Sequence, residues 1–457
     1  MQENTLKEVV IKANGLIDNW LDYQIYINEL PGLAVGIAID DEIIFQKEYG
    51  YANVKAKKKF TKKHLFRIAS HTKLFTATAI VMLYNEGKLS LDDKVSKHLP
   101  WFTSDTDDNI QHITIRHLLT HTSGLSCDGK KSYFGSENPP NLEDIKEQLK
   151  EGLSISKTNE SVKYSNVGYV LLGQIIGVVS KQEYGQFIQT RIFDPLKMKS
   201  SYIDVNDENR SLHATGHGMK YPKKDREQYP LYPSGIFQPA AGISSTTEDL
   251  IKFYQAHLFG NEVLLPDSLK REMQRIQVKM GTSIRGLGFA LSNNPEGKIV
   301  SHLGGEVGFR SMSGLIQEGR IIITVFVNAT NVSIAEFFYS LCHLVTTLDS
   351  AKEMFLQDSE DTANFKELVG FYDSLKSWGP ELFCQIGSKL VLLNPEAKYP
   401  INAMQILNHK GDNVFTPSKE SPTAKPGEEI QFIRGPENEI IYIDSKKGEH
   451  KKFSFSY

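Results

Sequence analysis

The sequence predicts a mixed α+β domain followed by a smaller, all-β domain. Two short apolar segments near the start, Leu33 to Ile39 and Glu42 to Tyr51, predict strands joined by a tight turn at Asp40-Asp41. Helical segments follow, and then three or four apolar strands precede a last helix that ends near Leu348. We therefore expect one sheet that takes strands from both ends of this segment and is flanked by helices.

The individual elements are predicted from apolar periodicity and from turn and capping residues. In chain order they are an amphipathic helix from Val9 to Trp20, the two strands, a buried helix from Leu74 to Tyr84 that Gly87 ends, a helical and loop-rich stretch from Trp101 to Lys157, a buried helix from Gly168 to Val179, a long loop over 204–238, a helix from a capping box at Ser245 to His257, and strands at Gly286 to Leu291, Ile299 to His302, Arg310 to Leu315 and Ile321 to Val327.

The composition changes after residue 350 and suggests a second domain. Residues Gln357 to Asn364 are polar and acidic, which is typical of a linker. Beyond them, apolar segments bounded by turn residues predict short strands at Leu382 to Leu393, Gln405 to Phe415, Ile430 to Ile433 and Ile440 to Ile443. The predicted organisation is a first domain over residues 1–350, a linker over 351–364 and an antiparallel β domain over 365–457.

Composition argues against several classes of function. The apolar fraction of 40% and the charged fraction of 23% are those of an ordinary globular protein, and a net charge of -3 predicts no binding to nucleic acid. The three cysteines are widely separated, and the sequence has no His-Glu-x-x-His motif. These features predict neither a disulfide framework nor a metal site.

The first thirty residues bear on localisation. They carry charges at Glu3, Lys7, Glu8, Lys12 and Asp18, and they lack the apolar core of a signal peptide. No membrane span is visible in the sequence. The direct prediction is a cytoplasmic protein, and export with removal of a leader is the alternative.

Ser70-His71-Thr72-Lys73 is the first candidate for catalytic chemistry. Residues three apart on a helix are neighbours, so the Lys73 amine can reach the Ser70 hydroxyl. Ser70 would also lie at the helix N-terminus, where free N–H groups favour developing negative charge. The alternative is a capping serine followed by a solvated lysine, and Ser154-Ile155-Ser156-Lys157 has the same spacing without this setting.

Two further short motifs follow along the chain. Tyr164-Ser165-Asn166 precedes an apolar helix, and His302-Leu303-Gly304-Gly305 lies at the end of a predicted strand. Taken singly, each has an ordinary structural explanation. Tyr164 could be a buried tyrosine bonded to a backbone carbonyl, and His302 could mark a turn at the end of a strand.

Together with the segment Ile113 to Leu125, these motifs resemble the serine β-lactamase-like family. That family includes penicillin-binding carboxypeptidases, class C β-lactamases, D-aminopeptidases and related esterases. The order and wide spacing of Ser70, Tyr164 and His302 are similar to those of the carboxypeptidase and class C branch.

The resemblance covers about residues 10–350 and includes the segment Pro239 to Thr246. It implies a β-lactamase-like antiparallel sheet flanked by helices, with a helical subdomain. The β domain after the linker resembles the lipocalin-like appendage of some peptidase relatives.

Chemistry and resemblance imply the same catalytic roles. An unactivated serine hydroxyl is a poor nucleophile, so Ser70 needs a nearby base. A desolvated Lys73 would have a lowered pKa and could accept the Ser70 proton, while Tyr164 could pass a proton to the leaving group and later activate water. Which of the two is the formal base stays open. Asn166 would hold Lys73 in place or bond the substrate carbonyl.

The strand motif is expected to bind the substrate. The backbone N–H groups of Ser70 and Gly305 would form an oxyanion hole. Because Gly304 and Gly305 have no side chains, a substrate could lie close against the strand. His302 stands where the family carries Lys or His, and it would tune the charge beside Tyr164.

Leu303 departs from the family pattern Lys-Thr-Gly or His-Thr-Gly. It lacks the hydroxyl that family members offer to a substrate carboxylate, which argues against β-lactam turnover and D-Ala-D-Ala carboxypeptidase activity. Arg310 could supply a carboxylate contact instead, or it could be solvated at the start of its strand.

The sequence therefore predicts a serine hydrolase that cleaves a small amide, peptide or ester through an acyl-enzyme on Ser70, without a cofactor. The alternative is a penicillin-binding or ligand-sensing module with little or no turnover. The β domain could mediate homo-oligomers, block the cleft, or form a closed barrel without a partner.

Overall fold

The structure is a computed structural model that describes residues 3–221, 225–356, 364–373, 379–419, 421, 429–445 and 448–455. The chain divides into two compact units. One unit is Pro31–Ala335, and the other combines Met1–Leu30 with Glu336–Tyr457.

The described residues form α-helices and β-strands, numbered here in chain order. The helices are α1 Glu3–Lys12, α2 Asn14–Ile27, α3 Thr72–Asn85, α4 Val95–His98, α5 Ile115–Leu119, α6 Leu142–Lys150, α7 Asn166–Ser180, α8 Tyr184–Ile188, α9 Gln238–Ala241, α10 Thr247–Gln255, α11 Asp267–Gln274, α12 Ile334–Ser350 and α13 Lys352–Leu356. Among these described helices, none is both long enough and apolar enough to cross a bilayer.

The strands fall into a central sheet, two small sheets and a barrel. They are β1 Gly32–Ile39, β2 Glu42–Asn53, β3 Lys58–Lys59, β4 Phe66–Arg67, β5 Tyr202–Ile203, β6 Gly216–His217, β7 Gln228–Tyr229, β8 Ile243–Ser245, β9 Val278–Met280, β10 Ser283–Arg285, β11 Ala290–Asn294, β12 Gly297–Glu306, β13 Phe309–Ile316, β14 Ile321–Val327, β15 Gly370–Asp373, β16 Pro380–Ile386, β17 Lys389–Leu393, β18 Gln405–Gly411, β19 Val414–Pro417, β20 Ile430–Arg434, β21 Ile440–Ser445 and β22 Gly448–Phe453.

The unit Pro31–Ala335 is built on a nine-stranded sheet in the order β3-β2-β1-β14-β13-β12-β11-β10-β9. Its centre joins the two ends of the unit, because β1 pairs antiparallel with β14 from Leu33 opposite Val327 to Ile39 opposite Ile321. Every residue of β1 and β14 is buried, which explains their continuous apolar runs. The predicted sheet with strands from both ends is therefore confirmed.

Helices of this unit contain or directly follow the candidate catalytic residues. Residues Thr72 to Leu83 of α3 are all buried, so this helix is enclosed around its whole circumference and packs against α7 and α9. The short strands β4, β8 and β5 form a separate sheet that begins just before Ser70.

Several predicted boundaries shift in the structure. The cap of α10 is Thr246, whose side chain accepts the Asp249 N–H, rather than Ser245. The expected strand at Gly286 to Leu291 is displaced to β11, because Gly286 and Gly288 form a turn with positive φ at Gly288. The predicted loop over 204–238 contains the short pair β6 and β7, and its residues 222–224 lie outside the described residues.

In the second unit, β15 to β22 form a closed eight-stranded barrel. Phe383, Phe415 and Phe432 meet edge-to-face in its core, with centroids 5.0 Å apart for Phe383–Phe432 and 5.6 Å for Phe415–Phe432. The predicted fold class, α+β with a C-terminal all-β domain, is confirmed. The single segment expected from Leu382 to Leu393 is two strands, since Gly387 turns the chain with a φ of 57°.

The compact units differ from the division expected at residue 350. Residues 1–30 and 336–350 group with the barrel, because α2 packs on β16 and the Trp20 ring lies 6.3 Å from that of Phe337. Part of the expected linker is helical as α13, and its residues 357–363 lie outside the described residues.

Candidate active site

Ser70 lies on a 3₁₀ turn, Ala69–His71, that leads directly into α3. Ala69 has a φ of 49°, a left-handed conformation that side chains other than glycine rarely adopt. The nucleophile candidate therefore follows a strained residue, which is common where a reactive side chain must be held in one position.

The amine of Lys73 is completely buried and lies within hydrogen-bond distance of three oxygen atoms. Its Nζ lies 3.2 Å from Ser70 Oγ, 2.6 Å from Asn166 Oδ1 and 2.8 Å from the Ala240 carbonyl oxygen. Burial lowers the pKa of Lys73 to about 7, and the nearby Cys127 and Asp128 partly oppose this shift. At neutral pH a large share of the lysine is therefore a neutral amine with a lone pair.

Tyr164 approaches the same serine from the other side. Its hydroxyl donates to Ser70 Oγ at 2.7 Å, and its ring lies 4.8 Å from Lys73 Nζ. Burial raises the pKa of Tyr164 well above its usual value. Tyr164 is thus a protonated donor at neutral pH, which distinguishes it from Lys73.

The start of α7 fixes both Tyr164 and Asn166. Ser165 caps the helix by accepting the Gly168 N–H, while its own N–H donates to Nδ1 of His121. The His121 ring also packs at 4.4 Å from the Tyr164 ring. The segment Ile113 to Leu125, which contributes His121, therefore supports the tyrosine rather than reaching the serine.

Asn166 lines the cleft and also holds the lysine. Its Oδ1 accepts from Lys73, and its Nδ2 donates to Asp128 Oδ1 at 2.6 Å. Of the two roles expected for Asn166, the contacts match the one that holds Lys73. Sequence reasoning missed Asp128, because no local motif marks it.

Strand β12 passes close beside the turn that carries Ser70. A Cβ at Gly304 would lie 2.2 Å from the Ile68 carbonyl oxygen and 2.3 Å from Ser311 Oγ, so only glycine fits. The ladder to β11 ends at Ser301, and from His302 to Glu306 the described residues pair β12 only with β13. This leaves one edge of the strand open beside Gly305, where a substrate backbone can lie.

His302 lies at the cleft as a neutral imidazole. Its Nδ1–H donates to the Leu303 carbonyl oxygen at 2.7 Å, and its buried Nε2 has no hydrogen-bond partner in the described part of the chain. Burial, with the nearby His71 and Lys73, lowers the pKa of His302 far below its usual value. Within the described residues it makes no hydrogen bond to Tyr164, beside which it was expected to tune charge.

The cleft over Ser70 has a volume of about 850 Å³. Three of the large apolar side chains that line it are substantially exposed: Leu303 at 46%, Phe134 at 39% and Met219 at 53%. Leu303 thus presents an apolar surface to the substrate at the position where a hydroxyl was expected from the family pattern.

Two arginines line the same cleft. Arg310 donates through Nη1 to the backbone carbonyls of Glu306 and Phe309, and it is half-buried rather than fully solvated. Arg285, on β10, is also half-buried, and in the described residues neither arginine has a carboxylate partner. Sequence reasoning missed Arg285, because its short strand carries no motif.

A buried ion cluster lies below the end of β12. Arg67 is almost completely buried and binds Asp204 at 3.1 Å, Glu306 at 3.2 Å and Ser234 Oγ at 2.6 Å. Burial raises the pKa of Glu306, while Arg67 opposes this shift. Glu306 also lines the cleft, which makes it a further residue that sequence reasoning missed.

The structure therefore brings Ser70, Lys73, Tyr164 and Asn166 into one hydrogen-bonded group and places the predicted strand residues beside it. In the described part of the chain, no three His, Cys, Asp or Glu side chains come together as metal ligands.

The chain is similar to several known proteins. Penicillin-binding protein 4* from Bacillus subtilis (strain 168) is 35% identical over 289 residues, which are 59% of this chain and 62% of that protein. An octameric penicillin-binding protein homologue from Pyrococcus abyssi has a TM-score of 0.64 at 23% identity and covers 96% of this chain and 99% of its own. D-amino acid amidase from Ochrobactrum anthropi SV3 has a TM-score of 0.63 at 23% identity, over 74% and 98% of the two chains.

The chain spans between half and two thirds of the length of the curated relatives it matches. The family model described as Beta-lactamase matches residues 18–335, which is more than half of the sequence. The chain therefore belongs to the beta-lactamase family.

Proposed function

We propose that this protein hydrolyses a small amide, peptide or ester through an acyl-enzyme on Ser70. The observation that carries the proposal is the pair of contacts on Ser70 Oγ, one to Lys73 Nζ at 3.2 Å and one from Tyr164 at 2.7 Å. The pKa of Lys73 is lowered from its ordinary value and that of Tyr164 is raised. Lys73 is therefore suited to act as a base and Tyr164 as an acid.

Lys73 is the base for acylation in this proposal. The Asn166 and Ala240 oxygens can only accept, so a neutral Lys73 donates its two N–H groups to them. Its lone pair then points at the remaining partner, the Ser70 hydroxyl. Ser70 Oγ attacks the carbonyl carbon of the substrate as its proton moves to Lys73 Nζ.

Tyr164 acts on the leaving group. Its hydroxyl gives a proton to the departing amine or alcohol, and it regains one from Lys73, so that the acyl-enzyme forms with no net change in protonation. Deacylation reverses these transfers, with water in place of the leaving group.

The negative charge that develops on the substrate oxygen would be held by the N–H groups of Ser70 and Gly305. The open edge of β12 and the tight fit at Gly304 support this assignment, because they keep the strand close to the nucleophile. One such donor is typically worth about 3–4 kcal/mol in the barrier.

The substrate is proposed to carry a carboxylate and an apolar group. Arg285 and Arg310 supply cations in the cleft, while Leu303, Phe134 and Met219 supply apolar walls. A peptide or an acylated amino acid offers both features. Because Leu303 has no hydroxyl to offer, we expect β-lactams to be turned over poorly compared with such substrates.

Intact-mass analysis after exposure to a fluorophosphonate tests the serine assignment. The native chain should gain one adduct, and Ser70→Ala should gain none. Ser154→Ala is the matched control, because Ser154 has the same spacing to a lysine and its hydroxyl accepts only from Asn109 in the described residues. An adduct that persists in Ser70→Ala would overturn the assignment.

The ligand-sensing alternative predicts a different result. The native chain would bind a carboxylate-bearing ligand in calorimetry, yet it would acquire no adduct and turn over no ester, amide or β-lactam. The buried Lys73 beside Ser70 argues for the hydrolase, since binding alone requires no base next to a hydroxyl.

We further propose that the protein self-associates. The Pyrococcus abyssi homologue described as octameric shares the fold across 96% of this chain, and this likeness supports the proposal. Light scattering coupled to size exclusion on the full chain measures the assembly state, and a monomer at micromolar concentration would contradict the proposal.

A further inference from the structure

Asp128 lies at the end of the Asn166 amide that is opposite to Lys73. Its Oδ1 accepts from Asn166 Nδ2 at 2.6 Å, and Asn166 Oδ1 in turn accepts from Lys73 Nζ at 2.6 Å. The three side chains therefore form one chain of short hydrogen bonds that ends at the amine beside Ser70. Asp128 is not among the described residues that line the cleft, so its carboxylate faces the amide and not the substrate.

The backbone that follows Asp128 is firmly held. The N–H of Lys130 donates to Gln148 Oε1 at 2.6 Å. Gly129 has a φ of 75°, and a Cβ at this position would lie 2.2 Å from Gln148 Oε1, so the turn requires glycine. The fold therefore presents the Asp128 carboxylate at a fixed position beside the start of α7.

The backbone of Asn166 is held by the same segment of the chain. The N–H groups of Asn166 and Val167 donate to the carbonyl oxygen of Cys127, at 2.8 and 3.1 Å. The remaining freedom of Asn166 is rotation of its side-chain amide, which exchanges the positions of the oxygen and the nitrogen. Besides Asp128, the described residues offer Nδ2 only the Cys127 Sγ, a weak acceptor at 3.8 Å.

The chemistry of these groups selects one orientation of the amide. An ionised carboxylate only accepts, so the Asn166 amide must turn its NH2 group to Asp128 and its oxygen to Lys73. The reverse orientation would place two oxygens 2.6 Å apart and turn the NH2 group towards the lysine. A neutral Lys73 would then accept that N–H with its lone pair, and the lone pair would no longer be available to Ser70.

We propose that Asp128 is a positioning residue for acylation, because it fixes the orientation of the Asn166 amide and so keeps the lone pair of Lys73 directed at Ser70. The inference rests on the proposed acyl-enzyme on Ser70. It adds to that mechanism a residue that acts through Asn166 and does not touch the reacting atoms.

The charge of Asp128 has a separate effect on the lysine. Burial lowers the pKa of Lys73, and the nearby negative charge of Asp128 partly opposes this shift by favouring the protonated amine. A neutral side chain at position 128 should therefore lower the pKa of Lys73 further. The ionisable groups around the lysine amine are Cys127, Asp128, Glu306, Arg285, Tyr164, His121 and His302.

The two effects can be separated in the pH profile of fluorophosphonate labelling of Ser70. Asp128→Asn keeps an oxygen that can accept from Asn166 but removes the charge. Its midpoint should lie at a lower pH than that of the native protein, while its rate at pH 9 should stay within about twofold. Asp128→Ala removes both the acceptor and the charge, so its rate at pH 9, where Lys73 is neutral, should also fall at least about 10-fold.

A double-mutant comparison tests whether Asp128 acts through the amide. In an Asn166→Ala background, Asp128→Ala should change the rate at pH 9 by less than about twofold, because no amide remains to be oriented. Thermal melting verifies that each variant is folded. Asp128→Ser, whose hydroxyl is too short to reach the amide, takes the place of Asp128→Ala if that variant is unfolded at the assay temperature.

Asp107→Ala is the matched control. Asp107 is also half-buried, and its carboxylate accepts the N–H groups of Leu153 and Ser154 instead of the Asn166 amide. Its loss should leave both the midpoint and the rate at pH 9 as they are in the native protein.

The outcomes distinguish the two proposals. If the fluorophosphonate does not label the native chain, the acyl-enzyme assignment fails, and the positioning role fails with it. If the native chain is labelled and Asp128→Ala keeps its rate at pH 9, only the positioning role is overturned. It is likewise overturned if Asp128→Asn loses as much rate as Asp128→Ala, or if Asp128→Ala lowers the rate further in the Asn166→Ala background.

Discussion

Acylation of Ser70 should depend on pH through Lys73. Only the neutral amine can take the serine proton, and the pKa of Lys73 is lowered from 10.5 to about 7 by burial. At pH 5 about 1% of the lysine would be neutral, and at pH 9 nearly all of it, so the acylation rate should fall about 100-fold from pH 9 to pH 5. The midpoint should lie near pH 7.

The lowered pKa also determines how much of Lys73 is available as a base at neutral pH. With its ordinary value of 10.5, Lys73 would be neutral in only about 0.03% of molecules at pH 7, compared with about half at a pKa of 7. Burial therefore increases the concentration of working base more than about 1,000-fold at neutral pH.

The assay is the rate of fluorophosphonate labelling of Ser70 by intact mass, measured from pH 5 to pH 9. Tyr164→Phe serves as the comparison, because Tyr164 stays protonated throughout this range and its loss should leave the midpoint near pH 7. Arginine cannot lose its proton in this range, so in Lys73→Arg the rise of the labelling rate with pH should disappear. The assignment of Lys73 as the base would be refuted if the labelling rate of the native protein did not change with pH. It would also be refuted if the rise with pH persisted in Lys73→Arg.

Three further predictions concern stability and geometry. Gly304→Ala should abolish labelling of Ser70 and lower the melting temperature, because the added Cβ would lie 2.2 Å from the Ile68 carbonyl oxygen. If labelling and calorimetry both showed no change, the close approach of the strand to the Ser70 turn would be contradicted. Arg67→Met should cost about 3–5 kcal/mol in urea unfolding, because it leaves two buried carboxylates without their cation, and a loss below about 1 kcal/mol would count against the cluster. The folded chain releases the Lys73 proton near pH 7 and the unfolded chain near pH 10.5, so the free energy of unfolding should rise with pH across this window by up to about 5 kcal/mol. Lys73→Met should remove that rise in urea titrations at pH 6, 7.5 and 9, and parallel curves for native and variant would contradict it.

The parts of the site that depend on residues close together in the chain were predictable from the sequence. The spacing of Ser70 and Lys73 on one helical face, and the position of Tyr164 and Asn166 at the start of an apolar helix, follow from local periodicity and capping. Strand β14 was also predicted with its observed bounds, because its apolar run is continuous and ends at clear turn residues.

The charge arrangement of the site was not predictable in the same way. Arg67 meets Asp204 and Glu306 across 137 and 239 residues of sequence, and no periodic pattern links them. Arg285 lies on a three-residue strand that is too short to show a period. These contacts depend on the tertiary fold, which brings distant segments to one cleft.

Two barrel strands were missed for a related reason. β22 reads Gly-Glu-His-Lys-Lys-Phe, and most of its residues are exposed or half-buried, so it shows little apolar alternation. β15 has only four residues. Both are strands because they close the barrel against their neighbours, and pairing of this kind leaves little trace in composition.

The grouping of α1 and α2 with the C-terminal barrel has a consequence for synthesis of the chain. About 300 residues separate Leu30 from Glu336, and at about 5–20 residues per second the ribosome needs roughly 15–60 s to produce them. During that time α2 lacks strand β16, against which it packs in the finished protein. A chain stopped near residue 350 would still lack β16, so the unit Pro31–Ala335 is best prepared by removing residues 1–30 together with the barrel.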